Sequence, residues 1–434
     1  MNTKAVRIYG VNDLRLEEFA LPPIKDDEIL CRVVSDSLCM SSHKLAVLGN
    51  AHKRVRGDLA KNPAIVGHEC CGIIEEVGTK WQKQFKPGDK FAVQPAIITK
   101  NPNGTLNHWA VGYSYEYAGG NATYIVLPNE VMENNCLLKS GADNFYSGSL
   151  AEPVSCIIGA FNAQYHTTEG SYTHRMGIKA GGSLALLASA GPMGLEAIDY
   201  AIHKSGPRPG RLMVTDIDDA RLKRAAALLT HEDAAKYGVE LVYVNTKTLT
   251  PPGSSGPADI AAQLKELNKS APFDDVFVFA PVTALIELGD QLLGHDGCLN
   301  FFAGPTDTGL GAGLNFYQVH YDSHHIVGTS GGNTADMEEA LELMAAGTIN
   351  PVFMVTHIGG LDAAARTTID LDKIPGAKKL IYTHKKLELT AIGDFAEKGK
   401  TSPFFAKLAE ICAAHNNLWN REAENYLLEN APNI

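Results

Sequence analysis

Four residues of metal-binding type stand in a row within IVGHECCGIIEEVG at 65–78: His68, Glu69, Cys70 and Cys71. Imidazole, carboxylate and thiolate are the donors of zinc sites, where the ion acts as a Lewis acid. The eight cysteines (31, 39, 70, 71, 136, 156, 298 and 412) form no C-x-x-C pair. In a chain of 434 residues this is no disulfide framework, and most of them read as buried thiols acting as small apolar residues. A second chemical signal is SAGPMG at 189–194, which follows an apolar strand and opens a helix. That is the setting of a dinucleotide-binding turn, with phosphate at the helix N-terminus. Gly191, Pro192, Met193 and Gly194 would form it. Gly191 would admit the pyrophosphate and Gly194 would let helix and strand pack closely. Ser189 takes the place of the usual first glycine. Asp216 ends the next strand, 22 residues after Gly194. A carboxylate there binds ribose hydroxyls and repels a 2′-phosphate, which favours NAD(H) over NADP(H).

Two kinds of texture surround these signals. Residues 1–130 carry short apolar runs cut by Gly and Pro, such as AVRIYG, EILCRVVSDSLC, GIIEEVG, KFAVQP and ATYIVLP. They predict a β-rich, barrel-like domain. From about 150, strands and helices alternate: SLAEPVSCIIGAFNAQYH (helix), GGSLALLAS (strand), GPMGLEAIDYAIHKSG (helix), RLMVTDI (strand) and onward through HHIVGTS. That period predicts a doubly wound α/β domain with a parallel sheet. TPPGSSGPA at 250–258 reads as a surface loop of this domain. TADMEEALELMAAGTI is an amphipathic helix and KKLIYT a last strand. The tail from about 387 reads as helical, with Phe405, Leu408, Ile411, Cys412 and Trp419 on one face.

Composition narrows the functional classes. Lys plus Arg is 38 against 49 for Asp plus Glu, a formal charge of −11, which disfavours general binding to nucleic acid or anionic membrane. No apolar run reaches the length of a membrane span. The N-terminus alternates like a strand and lacks an apolar signal core, so a cytoplasmic protein is expected.

SLCMSSHK (37–44), GHECCGIIEEVG (67–78), FKPGDKFAVQP (85–95), GGNATYIVLP (119–128) and GSLAEPVSCIIGAF (148–161), taken in this order with the α/β domain, resemble the zinc-dependent medium-chain alcohol dehydrogenase family. The resemblance covers residue 1 to about 385. It implies a GroES-like β-rich catalytic domain (1–155 and 331–386), a Rossmann NAD(P)-binding domain (156–330) and a helical C-terminal extension (387–434). It also implies one catalytic zinc, with Cys39 and His68 as ligands and Glu152 where sugar-alcohol members carry glutamate. Glu69 is a ligand or a nearby acid in different members, and could exchange in and out. Cys70 and Cys71 are expected to be packing residues. The segment 96–118, which in many relatives holds four cysteines and a structural zinc, has none here, so no structural zinc is expected; His108 stands alone in it. In the family's proton relay, Ser41 fills the first place. Lys44 stands where a histidine is usual, with His43 adjacent.

The glutamate position is similar to sorbitol dehydrogenase and its polyol relatives. NAHKRVRGDLAKNP at 50–63 adds His52, Lys53, Arg54, Arg56 and Lys61 near the expected mouth of the site. Lys53, Arg54 and Arg56 could hold a phosphate. The tail and layout resemble the L-sorbose-1-phosphate reductase subgroup, which interconverts a ketose 1-phosphate and a hexitol 6-phosphate and is associated with NADPH. Asp216 argues for NAD(H) first, with NADP(H) left open. The expected activity is reversible hydride transfer in the cleft between the two domains, by a homodimer or homotetramer. Dehydrogenation of an unphosphorylated polyol, of threonine or of another secondary alcohol is the alternative, as is a non-catalytic nucleotide-binding relative.

Overall fold

The computed structural model describes residues 1–101, 103–249 and 257–434; of the loop expected at 250–258, residues 250–256 lie outside the described residues. The chain divides into two compact units. The first comprises Met1–Glu152, Asn333–Ala346 and Val355–Ile434, and the second Pro153–Gly332 and Gly347–Met354.

Among the described residues the first unit is built on an eight-stranded sheet. Its central strand Ile29–Leu38 lies antiparallel to Cys70–Val77 on one side and to Lys378–Tyr382 on the other. Tyr124–Leu127 also pairs with Ile29–Leu38. The strand Ile29–Leu38 reads as an apolar run because nine of its ten positions are buried. Val33, Ile74, Phe91 and Ile125 join one core, and Val6, Ile8, Leu45, Leu361 and Ile381 a second. The expected strands of residues 1–130 are present, and the cysteine-free segment adds the hairpin Ala96–Lys100 with Leu106–Ala110. The strand Val355–Gly360 and helix Leu361–Ile369 were not foreseen in the sequence, since their short apolar runs lack a clear period.

The tail is part of the first unit rather than a body of its own. Its indole Trp419 and the helix residues Ala423 and Leu427 are buried. The Lys386 N–H donates to the Pro432 carbonyl at 2.8 Å and the Ile434 N–H to the His384 carbonyl at 3.1 Å. Those bonds seal its end onto the turn after Lys378–Tyr382.

Among the described residues the second unit holds a six-stranded parallel sheet. In spatial order its strands are Glu240–Asn245, Arg211–Asp216, Ser183–Leu187, Phe273–Val278, Leu293–Phe301 and His325–Gly328. In chain order that is 3-2-1-4-5-6, the order of a dinucleotide-binding sheet. Ala185, Met213, Val276 and Leu299 pack in its core. The expected helix SLAEPVSCIIGAFNAQYH is Tyr146–Ala163, with Pro153 inside it. Its predicted last turn is instead the strand Tyr165–Thr167.

That strand is pinned through its histidine. His166 Nε2 lies 3.1 Å from Asp275 Oδ1, and Nδ1 lies 2.9 Å from the Asp296 carbonyl. Burial pushes His166 down, but its bonds and charge attraction to Asp275 and Asp296 outweigh this and hold it above the usual histidine range. A raised folded pKa gives stability that is complete below about pH 6.5 and is lost as pH rises through the folded value. His166→Gln should therefore lower Tm more at pH 6 than at pH 9, as measured by thermal melts at both.

Candidate active site

Cys39 follows the central strand and sits, extended (φ −118°, ψ 146°), at the start of the helix Met40–Leu48. The antiparallel register pairs Asp36 with Cys70, and the Ser37 N–H donates to the Glu69 carbonyl at 3.0 Å. The strand end carrying Cys39 is thereby laid beside His68 and Glu69. The turn into HE needs a glycine. Gly67 has φ +94°, and a Cβ there would meet the Asn121 amide nitrogen at 2.1 Å. Asp36 braces the turn from below: its Oδ1 accepts from the Glu69 N–H at 3.1 Å and its Oδ2 from Asn121 Nδ2 at 2.7 Å.

One ligand atom each from Cys39, His68 and Glu69 lie within 4.8 Å of one another. Among the described residues no other group of three or more His, Cys, Asp or Glu gathers this way. Glu152, on the helix Tyr146–Ala163, stands outside that group, but its charge is felt by Cys39, Tyr113 and Lys378. Cys70 and Cys71 are buried, and Cys70 belongs to the apolar core. His108 is exposed on its hairpin.

Lys378 is the residue that sequence reasoning missed. Its ammonium donates to both Glu69 oxygens, at 2.5 and 2.7 Å, and the pair is almost wholly buried. Burial pulls the Lys378 pKa down, yet the Cys39, Glu69 and Glu152 charges more than reverse this. A signal existed in the sequence. Two lysines open KKLIY, a strand whose five positions are all buried, and a buried lysine needs an acid.

Tyr113 was also missed, and nothing in its surroundings marks it among the tyrosines of GYSYEY. It is buried, with its hydroxyl 3.5 Å from His68 Nε2 and hydrogen-bonded to the Ser41 side chain. Its ring stacks on His52 at 5.2 Å, and the Arg54 guanidinium lies 5.5 Å from its centroid. Arg56 turns elsewhere: it covers the Trp109 ring at 3.2 Å and faces Glu130 at 3.8 Å. Lys53 is exposed and Lys44 half-buried. His43 lies 3.1 Å from the Thr368 carbonyl.

The donor set fits a metal. Burial, the main cause, pushes His68 down to about 4, so its imidazole is neutral at pH 7. Ser42 Oγ lies 3.2 Å from His68 Nδ1, while Nε2 faces Glu69 at 4.0 Å. Burial pushes the Cys39 thiol up to about 12, against a lowering by Lys378. A sulfur, a nitrogen and an oxygen suit zinc, and three protein ligands leave one tetrahedral position open, as in catalytic sites.

The turn at 189–194 borders a cavity of about 420 Å³ within the second unit, lined by Gly191, Pro192, Met193, Gly194, Asp216 and Arg221 among others. A Cβ on Gly194 would strike the Ser189 carbonyl oxygen at 1.8 Å, so only glycine allows this helix–strand approach. Asp216 Oδ2 accepts from the Ala190 N–H at 3.1 Å and Oδ1 from the Ile217 N–H at 2.8 Å, which ties the turn to the next strand. Arg221 was not singled out in the sequence; it lies on the helix Asp219–Leu228 that follows Asp216 and lines the same cavity.

Residues 25–135 match the model of the alcohol dehydrogenase GroES-like domain. The chain is 51% identical over 428 residues to the mannitol-1-phosphate 5-dehydrogenase of Aliivibrio fischeri, covering 98% of this chain and 97% of that one. It is 47% identical over 434 residues to the L-sorbose 1-phosphate reductase of Klebsiella pneumoniae, covering 100% and 98%. The fold matches the crystal structure of galactitol-1-phosphate dehydrogenase from Escherichia coli with a TM-score of 0.65, at 20% identity over 87% of this chain and 99% of that one. No helix among the described residues is long and apolar enough to cross a membrane. With a GroES-like unit, a dinucleotide-binding unit and full-length relatives at about half identity, the chain belongs to the zinc-dependent medium-chain alcohol dehydrogenases and is an oxidoreductase.

Proposed function

We propose that the protein transfers hydride reversibly between a nicotinamide dinucleotide and a sugar phosphate of the hexitol 6-phosphate/ketose 1-phosphate type. The observation that carries this reading is the Cys39–His68–Glu69 group with a cationic arm, Arg54, over the adjoining Tyr113. The relatives at 51% and 47% identity, named for mannitol 1-phosphate and L-sorbose 1-phosphate, support the phosphorylated substrate.

Cys39, His68 and Glu69 would hold the zinc, with the Glu152 carboxylate close enough for its charge to act on Cys39. Bound there, zinc supplies a Lewis acid that lowers the pKa of a substrate hydroxyl or polarises a ketone. Glu69, held by Lys378 through both oxygens, would share its charge between that ammonium and the ion. Ser41 takes the hydroxyl proton, with Tyr113 hydrogen-bonded to it. Lys44 and His43 pass the proton outward. A bound nicotinamide would supply the hydride donor or acceptor. Arg54 reads the phosphate, aided by Lys53 at the surface. Arg56, committed to Trp109 and Glu130, holds the shape of the loop.

Asp216 favours NAD(H), because a 2′-phosphate beside a carboxylate is repelled. Arg221 in the same cavity offers a countercharge and keeps NADP(H) usable. The exposed edge strand His325–Gly328, with Ile326 and the nearby Phe316, Tyr317 and Tyr321 exposed, supports a homo-oligomer.

Arg54→Ala should raise KM for phosphorylated substrates at least about tenfold while leaving free polyols nearly unchanged, since a charge-assisted phosphate contact contributes about 1.5–3 kcal/mol. Arg56→Ala should affect both alike. A panel of hexitols, ketoses and their phosphates followed by NAD(P)H absorbance decides this; equal effects of Arg54→Ala on both classes would reject the phosphate. Cys39→Ala should abolish turnover yet keep nicotinamide binding, measured by fluorescence titration. Zinc affinity should rise at least about tenfold per pH unit from pH 6 to 8, because Cys39 must shed a proton while His68 is already neutral. Chelator competition at several pH values reads that slope, and a flat profile would remove Cys39 from the ligand set.

A further inference from the structure

The tail bears no residue of the centre just described, yet it buries a carboxylate against two of the elements that do. Glu424, on the helix Arg421–Asn430, has no exposed surface. Its Oε2 accepts from the Phe145 N–H at 2.8 Å, and its Oε1 from the Tyr146 N–H at 2.9 Å. The same Oε1 accepts from the Tyr382 hydroxyl at 2.9 Å, and that hydroxyl accepts from the Trp419 indole N–H at 2.7 Å. The first two bonds cap the helix Tyr146–Ala163, which has no acid in its first turn. Its opening N–H groups would otherwise be orphaned, apart from Ser147, which Asn144 serves at 2.9 Å. A nearby Ser or Asp would cap such a helix locally. Here the acceptor comes from 278 residues away.

What these two elements carry gives the contact its meaning. Glu152 lies six residues after Tyr146, about 9 Å along the helix. Lys378 lies four residues before Tyr382 on the strand Lys378–Tyr382, and alternation puts the two on the same face. Lys378 in turn grips Glu69. We propose that the C-terminal extension helps build the active site, with Glu424 as a positioning residue that locks the helix of Glu152 and the strand of Lys378 in one mutual setting. The tail holds Glu424 firmly: Asn420 accepts from the Ala423 N–H at 3.0 Å, Trp419 packs on Tyr382, and Arg421 pairs with Asp143.

A pH signature follows. Burial pushes the Glu424 carboxyl up to about 7, and its bonds to Phe145, Tyr382 and Tyr146 and the Lys90 charge act the other way. Tyr146, Tyr382, Trp419, Lys90, Cys71, Asp143 and Arg421 are the polar and titratable groups around it. A proton on either oxygen turns an acceptor into a donor and weakens the lock.

The inference rests on the metal reading proposed for the site, so its test includes a measurement that needs no substrate. Zinc affinity of the apo-protein is read by competition with a chromophoric chelator. Hydrogen exchange reads the amides of 145–149, and steady-state kinetics read kcat and KM. In folded Glu424→Gln, zinc affinity and kcat should each fall about tenfold, the scale for residues that orient metal ligands, with KM for the nicotinamide cofactor unchanged. The step near pH 7 in the zinc-affinity profile should vanish, and the 145–149 amides should exchange faster. Tyr382→Phe keeps the helix cap but breaks the link between Glu424 and the strand, along with the Trp419 indole bond to the same hydroxyl; it should lose zinc affinity in the same direction. Wild-type zinc affinity and kcat in folded Glu424→Gln, or a change confined to Tm, would overturn the proposal. Should Glu424→Gln fail to fold, unchanged zinc affinity and kcat in Tyr382→Phe would do so. Lost zinc affinity in a protein that turns over no sugar phosphate would leave Glu424 in its role and defeat only the substrate reading.

Discussion

The structure turns on the buried pair between Glu69 and Lys378. A carboxylate taken out of water costs several kcal/mol, and an ammonium the same, so neither survives in this interior without the other. Their bidentate contact fixes where Glu69 points and neutralises a site that also gathers the Cys39 thiol and the Glu152 carboxylate. It also explains the order of the sheet. Lys378 reaches Glu69 because its strand lies next to Ile29–Leu38, which in turn lies next to the strand that opens at Cys70. The neighbouring strands are therefore constrained by charge as well as by apolar packing.

The rest of the first unit supports that pair with hydrogen bonds from side chains around it. Asp36 braces the Glu69 backbone and Asn121, Ser42 meets His68, and Tyr113 closes over the imidazole. Burial pushes the Asp36 carboxyl well up. Such bonds stiffen a site because the partners are themselves anchored in a strand or a turn.

Much of this was legible in the sequence, and the limits have physical causes. Cys39, His68 and Glu69 were legible through motifs that resemble the family's, and each motif is a local piece of structure, a strand end, a turn and a helix start within forty residues. The turn at Gly194 was legible for the same reason: its requirement is a local clash with the Ser189 backbone. The alternation from 183 to 328 gave the parallel sheet through its 3.6- and 2-residue periods. Lys378 was not found because its partner lies 309 residues away and strand pairing carries no local signal. Arg54 and Arg56 look alike in the sequence; only the positions of Tyr113 and Trp109 separate them. The tail showed its apolar face, but the buried acid on its last helix reads as one more exposed charge until Phe145 and Tyr382 are set against it.

Chain order gives the Glu69–Lys378 pair a consequence during synthesis. A ribosome adds roughly 5–20 residues per second, so the 309 residues between them take on the order of 15–60 s. For that interval the nascent chain offers a thiol, an imidazole and a carboxylate without the lysine that will balance them. The centre of the sheet also stays open, because Lys378–Tyr382 has not arrived to pair with Ile29–Leu38. The site can therefore be completed only after the strand Lys378–Tyr382 has been made, late in synthesis of the chain.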